Sequence, residues 1–326
     1  MKSEILSPIK VSIQCLVYNH EDYLRKCLDG FVMQKTNFRF EAIVHDDAST
    51  DGSAAIIREY AEKYPDIIKP IYQTQNQFYI KGAIRKAINS AIDINSKYYA
   101  LCEGDDYWID PLKLQKQVDY MESHPECSVC TTAANLIEAD SDKNIGVVTT
   151  SSSIKTFGMR DAIKGYGHIA STPSFLFKKE ILTNVLPLFY RIAPCGDYTI
   201  PIIGCTYGSI VNLPDITCSH RVLAKGSMTK SWSEDFAKRT EYNQKYERML
   251  DEIDIFTEHK YHKEVERERV GVWFRSYLAA GKYPEIRNWN SIKYMLSEPG
   301  ITKFKLLAKV YFSPIYKILQ NIKHGQ

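Results

Sequence analysis

The four residues Glu103-Gly104-Asp105-Asp106 carry three carboxylates and follow directly on the apolar run Tyr98-Tyr99-Ala100-Leu101-Cys102. A strand that delivers adjacent carboxylates to the mouth of a sheet holds like charges together. That is unfavourable unless a cation or a hydrogen-bonding ligand occupies the place. Oxygen-rich sites of this kind suit Mg2+ or Mn2+, which keep several waters and bridge to substrate phosphates. The same residues also read as a solvated turn after a strand. What decides between the two readings is whatever else reaches that edge.

The elements that must position the cluster alternate between strand and helix. Val11 to Val17 is a short apolar run bounded by turn residues, and Glu21 to Gln34 carries Tyr23, Leu24, Cys27, Leu28, Phe31 and Val32 at helical spacing. Strands are expected at 40–45, 67–72 and 98–102, with helices at 51–64 and 82–94 between them. Strands separated by single helices predict a Rossmann-like α/β fold, a mostly parallel sheet with helices on both faces. In such sheets ligands bind outside the carboxyl ends of the strands. Tyr18-Asn19, Asp46-Asp47 and Asp105-Asp106 all fall at those ends, so three separate stretches converge on one edge.

The stretches Val11-Ser12-Ile13-Gln14-Cys15-Leu16-Val17-Tyr18-Asn19-His20 and Val44-His45-Asp46-Asp47-Ala48-Ser49-Thr50-Asp51-Gly52-Ser53, with Glu103-Gly104-Asp105-Asp106, resemble the family 2 glycosyltransferases. These are inverting sugar transferases of the GT-A fold, and the resemblance runs over roughly residues 10–230. It implies a nucleotide-diphospho-sugar donor, a UDP-sugar by preference, and Mn2+ or Mg2+. By the same resemblance Asp47 contacts the base, Asp105 the ribose hydroxyls, and Asp106 the metal, with Glu103 as a further ligand. Leu16 and Tyr18 lie where the family wraps backbone and a ring around the base; Tyr18 reads equally as core. Lys81 and Arg85 are candidates for the nucleotide or its phosphates, against the commoner reading of solvated surface cations. Asp51 reads as a helix cap. The chain departs from the family's usual pattern with Leu16 for Pro, Ala48 for Gly and Glu103 for Asp.

Beyond Pro111 a helix to His124 and a strand over 128–137 are expected, then a polar loop or hairpin over 140–153. Ser171 to Glu180 resembles the family's acceptor-side segment. Cys195-Gly196-Asp197-Tyr198 precedes an apolar stretch read as a helix to Gly208. Asp197 there reads as a helix cap and, by the resemblance, as the general base that takes the acceptor's proton, two readings that are compatible. In Ser219-His220-Arg221-Val222 the resemblance places Arg221 near the diphosphate, with His220 a lesser candidate for the metal.

Composition narrows the partners. In 326 residues, 42 Lys and Arg nearly balance 39 Asp and Glu, which gives no cause to expect nucleic acid. No leader pattern or membrane-spanning window is read from the sequence. Eight scattered cysteines, several in strand-like runs, fit reduced thiols and a cytoplasmic setting. The pair Cys127 and Cys130 is read as part of a strand rather than a metal site. The organisation expected is 1–110, a nucleotide-sugar-binding half; 111–230, an acceptor half; and 231–326, a helical region. Residues 301–323 interleave basic, aromatic and aliphatic side chains, which suits either a helix lying on a membrane interface or a terminal helix packed on the domain.

The function these readings imply is hexosyl or N-acetylhexosaminyl transfer to a saccharide or lipid-linked acceptor, in polysaccharide or glycolipid assembly at the inner face of the plasma membrane. Two alternatives stay open: a non-catalytic nucleotide-sugar-binding protein, and a sugar-phosphate nucleotidyltransferase. The second would show a glycine-rich basic loop after the first strand, where this chain has Tyr18-Asn19-His20-Glu21-Asp22.

Overall fold

The computed structural model describes residues 7–78, 80, 82–148, 151–164, 169–225, 227, 230, 235–298, 300 and 302–312. The chain divides into two compact units, Met1–Arg191 with Cys195–Lys230, and Ile192–Pro194 with Ser231–Gln326.

The first unit opens with β1 (Ile9–Val17), α1 (Glu21–Val32), β2 (Arg39–Asp46), α2 (Ser53–Lys63), β3 (Ile68–Tyr72), α3 (Ala83–Ala91) and β4 (Tyr98–Leu101). β5 (Tyr107–Trp108), α4 (Lys113–Ser123), β6 (Cys127–Glu138), β7 (Lys143–Val148), β8 (Lys155–Phe157) and α5 (Met159–Lys164) follow. β9 (Leu176–Lys178), α6 (Glu180–Thr183), α7 (Leu188–Ile192), α8 (Thr199–Gly204) and β10 (Ser209–Val222) complete it. Among the described residues ten strands form one sheet in the order β3-β2-β1-β4-β9-β6-β10-β5, with β7 on β6 and β8 on β10. The β3-β2-β1-β4 half is parallel throughout, as the alternation of strand and helix requires.

Its core follows from the patterns. β1 buries Val11, Ile13, Cys15 and Val17, while α1 turns Leu24, Cys27, Leu28 and Phe31 inward, residues spaced for one face of a helix. A buried carboxylate fastens the strands: Glu41 Oε1 accepts from Ser12 Oγ at 2.7 Å and from the Asp93 amide at 2.8 Å. Cys127 and Cys130 lie in β6.

The second half of the sheet departs from the parallel expectation. β9, drawn from the segment after Ser171, runs antiparallel between β4 and β6, and the two-residue β5 pairs antiparallel with β10. The polar stretch after Asp140 is a hairpin, β7 returning along β6. The apolar helix expected to reach Gly208 stops at Gly204. Gly208, at φ +155°, lies where a Cβ would sit 2.1 Å from the Glu126 carbonyl oxygen, so the chain has already turned into β10 there.

Contact with α1 ties this half to the first, and a buried lysine and glutamine hold it together. Trp108 of β5 meets Phe31 of α1 edge to face at 5.0 Å and donates Nε1–H to the Pro173 carbonyl at 2.8 Å. The fully buried Lys113 donates to Gln117 at 2.7 Å and stands 4.3 Å over the Trp108 ring; loss of hydration lowers its pKa to about 8. Gln117 in turn donates to the Cys130 and Ser174 carbonyls at 2.8 and 2.9 Å, fixing α4 to β6 and to the chain before β9.

The second unit consists of α9 (Phe236–Phe256), α10 (His262–Ala279), α11 (Trp289–Ser297) and α12 (Thr302–Tyr311). Asp235 caps α9 by accepting the Ala237 and Lys238 amides, and Asn288 caps α11 through the Ser291 amide. α12 buries Val310 beside Phe274, Ile286, Tyr294 and Met295, and packs Leu306 and Leu307 against them. Phe304 and Phe312 stay exposed. For 302–312 the structure therefore supports packing within the unit while leaving an aromatic face open. Residues 301 and 313–323 of the interfacial reading lie outside the described residues.

One glycine tests the join between α1 and β5. A Cβ on Gly30 would sit 2.9 Å from the Trp108 amide nitrogen and 3.0 Å from its carbonyl oxygen. In an exposed helix Gly→Ala stabilises by about 1 kcal/mol. Here overpacking against backbone outweighs that gain, and Gly30→Ala is expected to destabilise by about 1–3 kcal/mol in urea unfolding. A variant more stable than the parent would contradict this packing.

Candidate functional site

The loops after β1 and β2 are laced together by their own backbones and short side chains. Asn19 (φ 57°) donates its amide to Ser49 Oγ at 3.0 Å, and its Oδ1 accepts the Thr50 amide at 2.8 Å. His20 donates its amide to Ser53 Oγ at 2.9 Å. Ala48 takes φ 61°, the left-handed conformation in which a glycine would be unstrained. Asp51 is not a simple cap. Gly52 occupies the N-cap position of α2, and Asp51 accepts the Ser53 amide at 2.9 Å and the Glu21 amide at 3.0 Å. Glu21 replies by accepting the Gly52 amide at 2.7 Å, so the first turns of α1 and α2 cap each other. Burial opposes the Asp51 charge, but the Ser53 and Glu21 donors outweigh it and hold its pKa below the usual value.

Against these loops sits the turn that follows β4. The Gly104 amide donates to the Leu16 carbonyl at 2.9 Å, and a Cβ there would fall 2.8 Å from His20 Nδ1. The glycine thus lets the turn that carries Asp105 and Asp106 lie close against Leu16, Val17 and His20. Leu16 is half-buried and Tyr18 exposed. Asp47, buried at the end of β2, accepts the Gln77 amide on Oδ1 at 2.7 Å.

Asp106 is buried and held from the far side of the sheet. Its Oδ1 accepts the Arg221 amide at 2.8 Å, and His220 Nδ1 stands 3.1 and 3.0 Å from its two oxygens. Arg221 is buried as well. Its guanidinium lies 5.0 Å from the Tyr23 ring and 4.6 Å from the Tyr107 ring, donates to the Asp105 carbonyl at 2.6 Å, and reaches Asp142 at 3.4 Å. In this arrangement Arg221 braces the acidic turn.

The charges respond accordingly. Burial disfavours a charged His220, yet the Asp106 carboxylate, with Asp105 and Glu103, overcomes this and raises its pKa to about 9. Burial and then the Asp106 charge raise Asp105. Glu103 is also raised, by crowding and by the charges of Asp105, Asp106 and Asp197. Because the Glu103 side chain is open to solvent, its rise rests more on those neighbouring charges than on loss of water.

Asp197 joins this cluster electrostatically. It contributes to raising Glu103; its own pKa is pushed up by burial and drawn down by the Tyr198 amide and by His220. Crowding by protein atoms more than offsets His220 and the Tyr198 amide donated at 2.9 Å, so the net shift is upward, tempered by the exposure of the residue. Its carboxylate accepts the amide of Tyr198, the residue at the N-cap position of α8. Arg85 lies with its guanidinium 5.6 Å from the Tyr190 ring. Lys81 lies outside the described residues.

The donor set fits a hard divalent cation. Asp106 Oδ2 and His220 Nδ1 are 3.0 Å apart, close to the ~3 Å between adjacent ligands of an octahedral ion with ligand distances of about 2.1 Å. Glu103 does not complete a three-ligand set with them; among the described residues such a set occurs only in the second unit. The site would thus offer few protein ligands and leave positions for water or phosphate oxygens.

Sequence reasoning missed the Arg221 brace and its aromatic walls. Tyr107 directly follows Asp106, which was the available signal. Arg221→Met should remove a charge-assisted bond worth about 1.5–3 kcal/mol. Urea unfolding is expected to show that loss, with weaker nucleotide binding. Unchanged stability would mean the guanidinium is not holding the turn.

The glycosyl transferase family 2 model matches residues 12–186. An uncharacterized protein of Mycobacterium tuberculosis is 35% identical over 226 residues, 66% of this chain and 60% of that protein. The chain thus matches under two thirds of that relative's length. Among solved structures, S. aureus TarS in complex with UDP-GlcNAc superposes with a TM-score of 0.60 at 14% identity, over 98% of this chain and 93% of that one. A mannosyltransferase from Pyrobaculum calidifontis in complex with GDP-Man and Mn2+ gives a TM-score of 0.54 at 14% identity, over 99% and 91%. At these identities the structures establish the shared GT-A fold, a mixed α/β architecture.

Proposed function

This chain belongs to glycosyl transferase family 2, and from that membership we propose that it moves a hexosyl or N-acetylhexosaminyl group from a UDP-sugar to an acceptor hydroxyl, inverting the anomeric centre. The observation that carries the reading is the meeting of Asp47 from β2, Asp105 and Asp106 after β4, and His220 from β10 at one sheet edge, with Asp197 close enough to share their field. That edge is where a parallel sheet binds a nucleotide.

In the proposed complex Asp47 accepts the N–H of the base, and Asp105 receives the ribose hydroxyls. Leu16 and Tyr18 flank the base, and Arg85 is a candidate for the phosphates. Asp106, with His220, would hold Mn2+ or Mg2+, which supplies charge stabilisation to the departing diphosphate. Asp197 accepts the acceptor's hydroxyl proton as that oxygen bonds to the anomeric carbon and the bond to the diphosphate oxygen breaks. A carboxylate with a raised pKa is the stronger base for this step. Holding donor and acceptor in line supplies much of the remaining rate.

Among the described residues no helix is long and apolar enough to cross a membrane. A peripheral contact at the cytoplasmic face, through exposed Phe304 and Phe312 with Lys303, Lys305 and Lys309, would suit a lipid-linked acceptor in polysaccharide or glycolipid assembly.

Asp197→Asn is expected to keep the affinity for UDP within about twofold while transfer from the accepted UDP-sugar falls ~100-fold or more, the range of a lost general base. Product formation followed by mass spectrometry alongside calorimetric UDP binding separates the two effects. Undiminished turnover would remove Asp197 from this role, and tight UDP binding with no product from any sugar nucleotide would favour the binding-protein alternative.

A further inference from the structure

The turn between α9 and α10 gathers three metal-ligating side chains that the transfer chemistry does not use. Asp254, in the last turn of α9, meets His259 in the connection and His262 at the start of α10. One carboxylate oxygen, Asp254 Oδ2, lies 2.9 Å from His259 Nδ1 and 2.9 Å from His262 Nδ1. The three ligand atoms all fall within 4.8 Å of one another. We propose that Asp254, His259 and His262 form a transition-metal site, of which zinc is the fitting chemical class.

Three observations carry this beyond a hydrogen-bonded turn. First, the donor set is two imidazoles and one carboxylate, which suits Zn2+ and the later first-row metals and is poor for Mg2+ or Ca2+. Second, the other carboxylate oxygen, Asp254 Oδ1, is buried and has no hydrogen-bond partner among the described residues, on a residue only 9% exposed. The two imidazoles serve Oδ2, so Oδ1 alone lacks a partner, and an ion held by both oxygens would supply one. Third, both imidazoles are exposed, so an ion has a route in and each ring can keep its remaining N–H solvated on Nε2.

The backbone is bent to make this meeting. Glu258 and His259 take φ 52° and 59°, an uncommon conformation for residues with a Cβ, and the His259 amide donates back to the Asp254 carbonyl at 2.9 Å. An ion would take the place of the two protons now shared between Oδ2 and the Nδ1 atoms, each ring moving its proton to Nε2. Small outward shifts of the two rings open the cluster to the ligand spacing of a tetrahedral ion, with one position left for water. Bound there, the ion would clip the end of α9 to the start of α10.

The test uses the full chain, stripped with chelator, and Zn2+ alone as the probe, in calorimetry with Co2+ absorption as the second readout. One equivalent of Zn2+ is expected to bind, unaffected by millimolar Mg2+, and to weaken at least tenfold in His262→Gln and again in His259→Gln. Both side chains are exposed, so their replacement should leave the fold intact by circular dichroism. Asp106→Ala should keep this equivalent, which separates it from any ion at the acidic turn of the first unit. Zn2+ binding of equal strength in the parent and both histidine variants would overturn the proposal, as would the absence of tetrahedral Co2+ bands from the parent protein. Neither result would touch the transferase reading, whose test is nucleotide binding.

Discussion

Mutual repulsion among Glu103, Asp105 and Asp106 is the constraint on which the first unit depends. Three carboxyls at the end of one short strand would drive the turn apart or take up protons unless opposite charge were built around them. The fold supplies that charge from a distance in sequence: His220 against Asp106, 114 residues away, and Arg221 against the Asp105 carbonyl. β10 can deliver them because it pairs with β5, the strand that follows the acidic turn without a break. The sheet's odd edge, a two-residue antiparallel strand, thus carries the electrostatic closure of the site.

Even so, burial and mutual charge raise Asp105 and Glu103, and against its own burial the Asp106 carboxylate raises His220. On the proposed reading, a divalent ion would supply the remaining counter-charge. The rest of the edge is built for close approach. Gly104 lets the turn lie against Leu16, and Ala48 accepts a left-handed conformation so that the loops after β1 and β2 can cross-cap α1 and α2. Strain of this kind persists where the surroundings over-determine it, and it gathers at functional edges.

The parallel half of the sheet was legible in the residues because buried strands announce themselves as apolar runs and helices as a 3.6-residue stripe. Asp47, Asp105 and Asp106 could be placed at strand ends for that reason alone. β5 and β9 could not, since two or three residues carry no period and their pairing is decided by partners far along the chain. The same holds for the Arg221 brace, which needs Tyr23, Tyr107 and Asp105 brought together from three elements. Asp51 was legible as a cap and accepts the Ser53 amide at the start of α2, but its second bond, from the Glu21 amide, depends on the helix packed alongside.

The measurement closest to the central claim is calorimetric titration of the full chain with UDP, with and without Mn2+, in the parent and in Asp106→Ala. UDP binding that Mn2+ strengthens at least tenfold in the parent, and fails to strengthen in Asp106→Ala, is the result expected of carboxylates held together for a metal-bridged diphosphate. UDP binding that is absent from the parent, or indifferent to Mn2+ in both proteins, would contradict it.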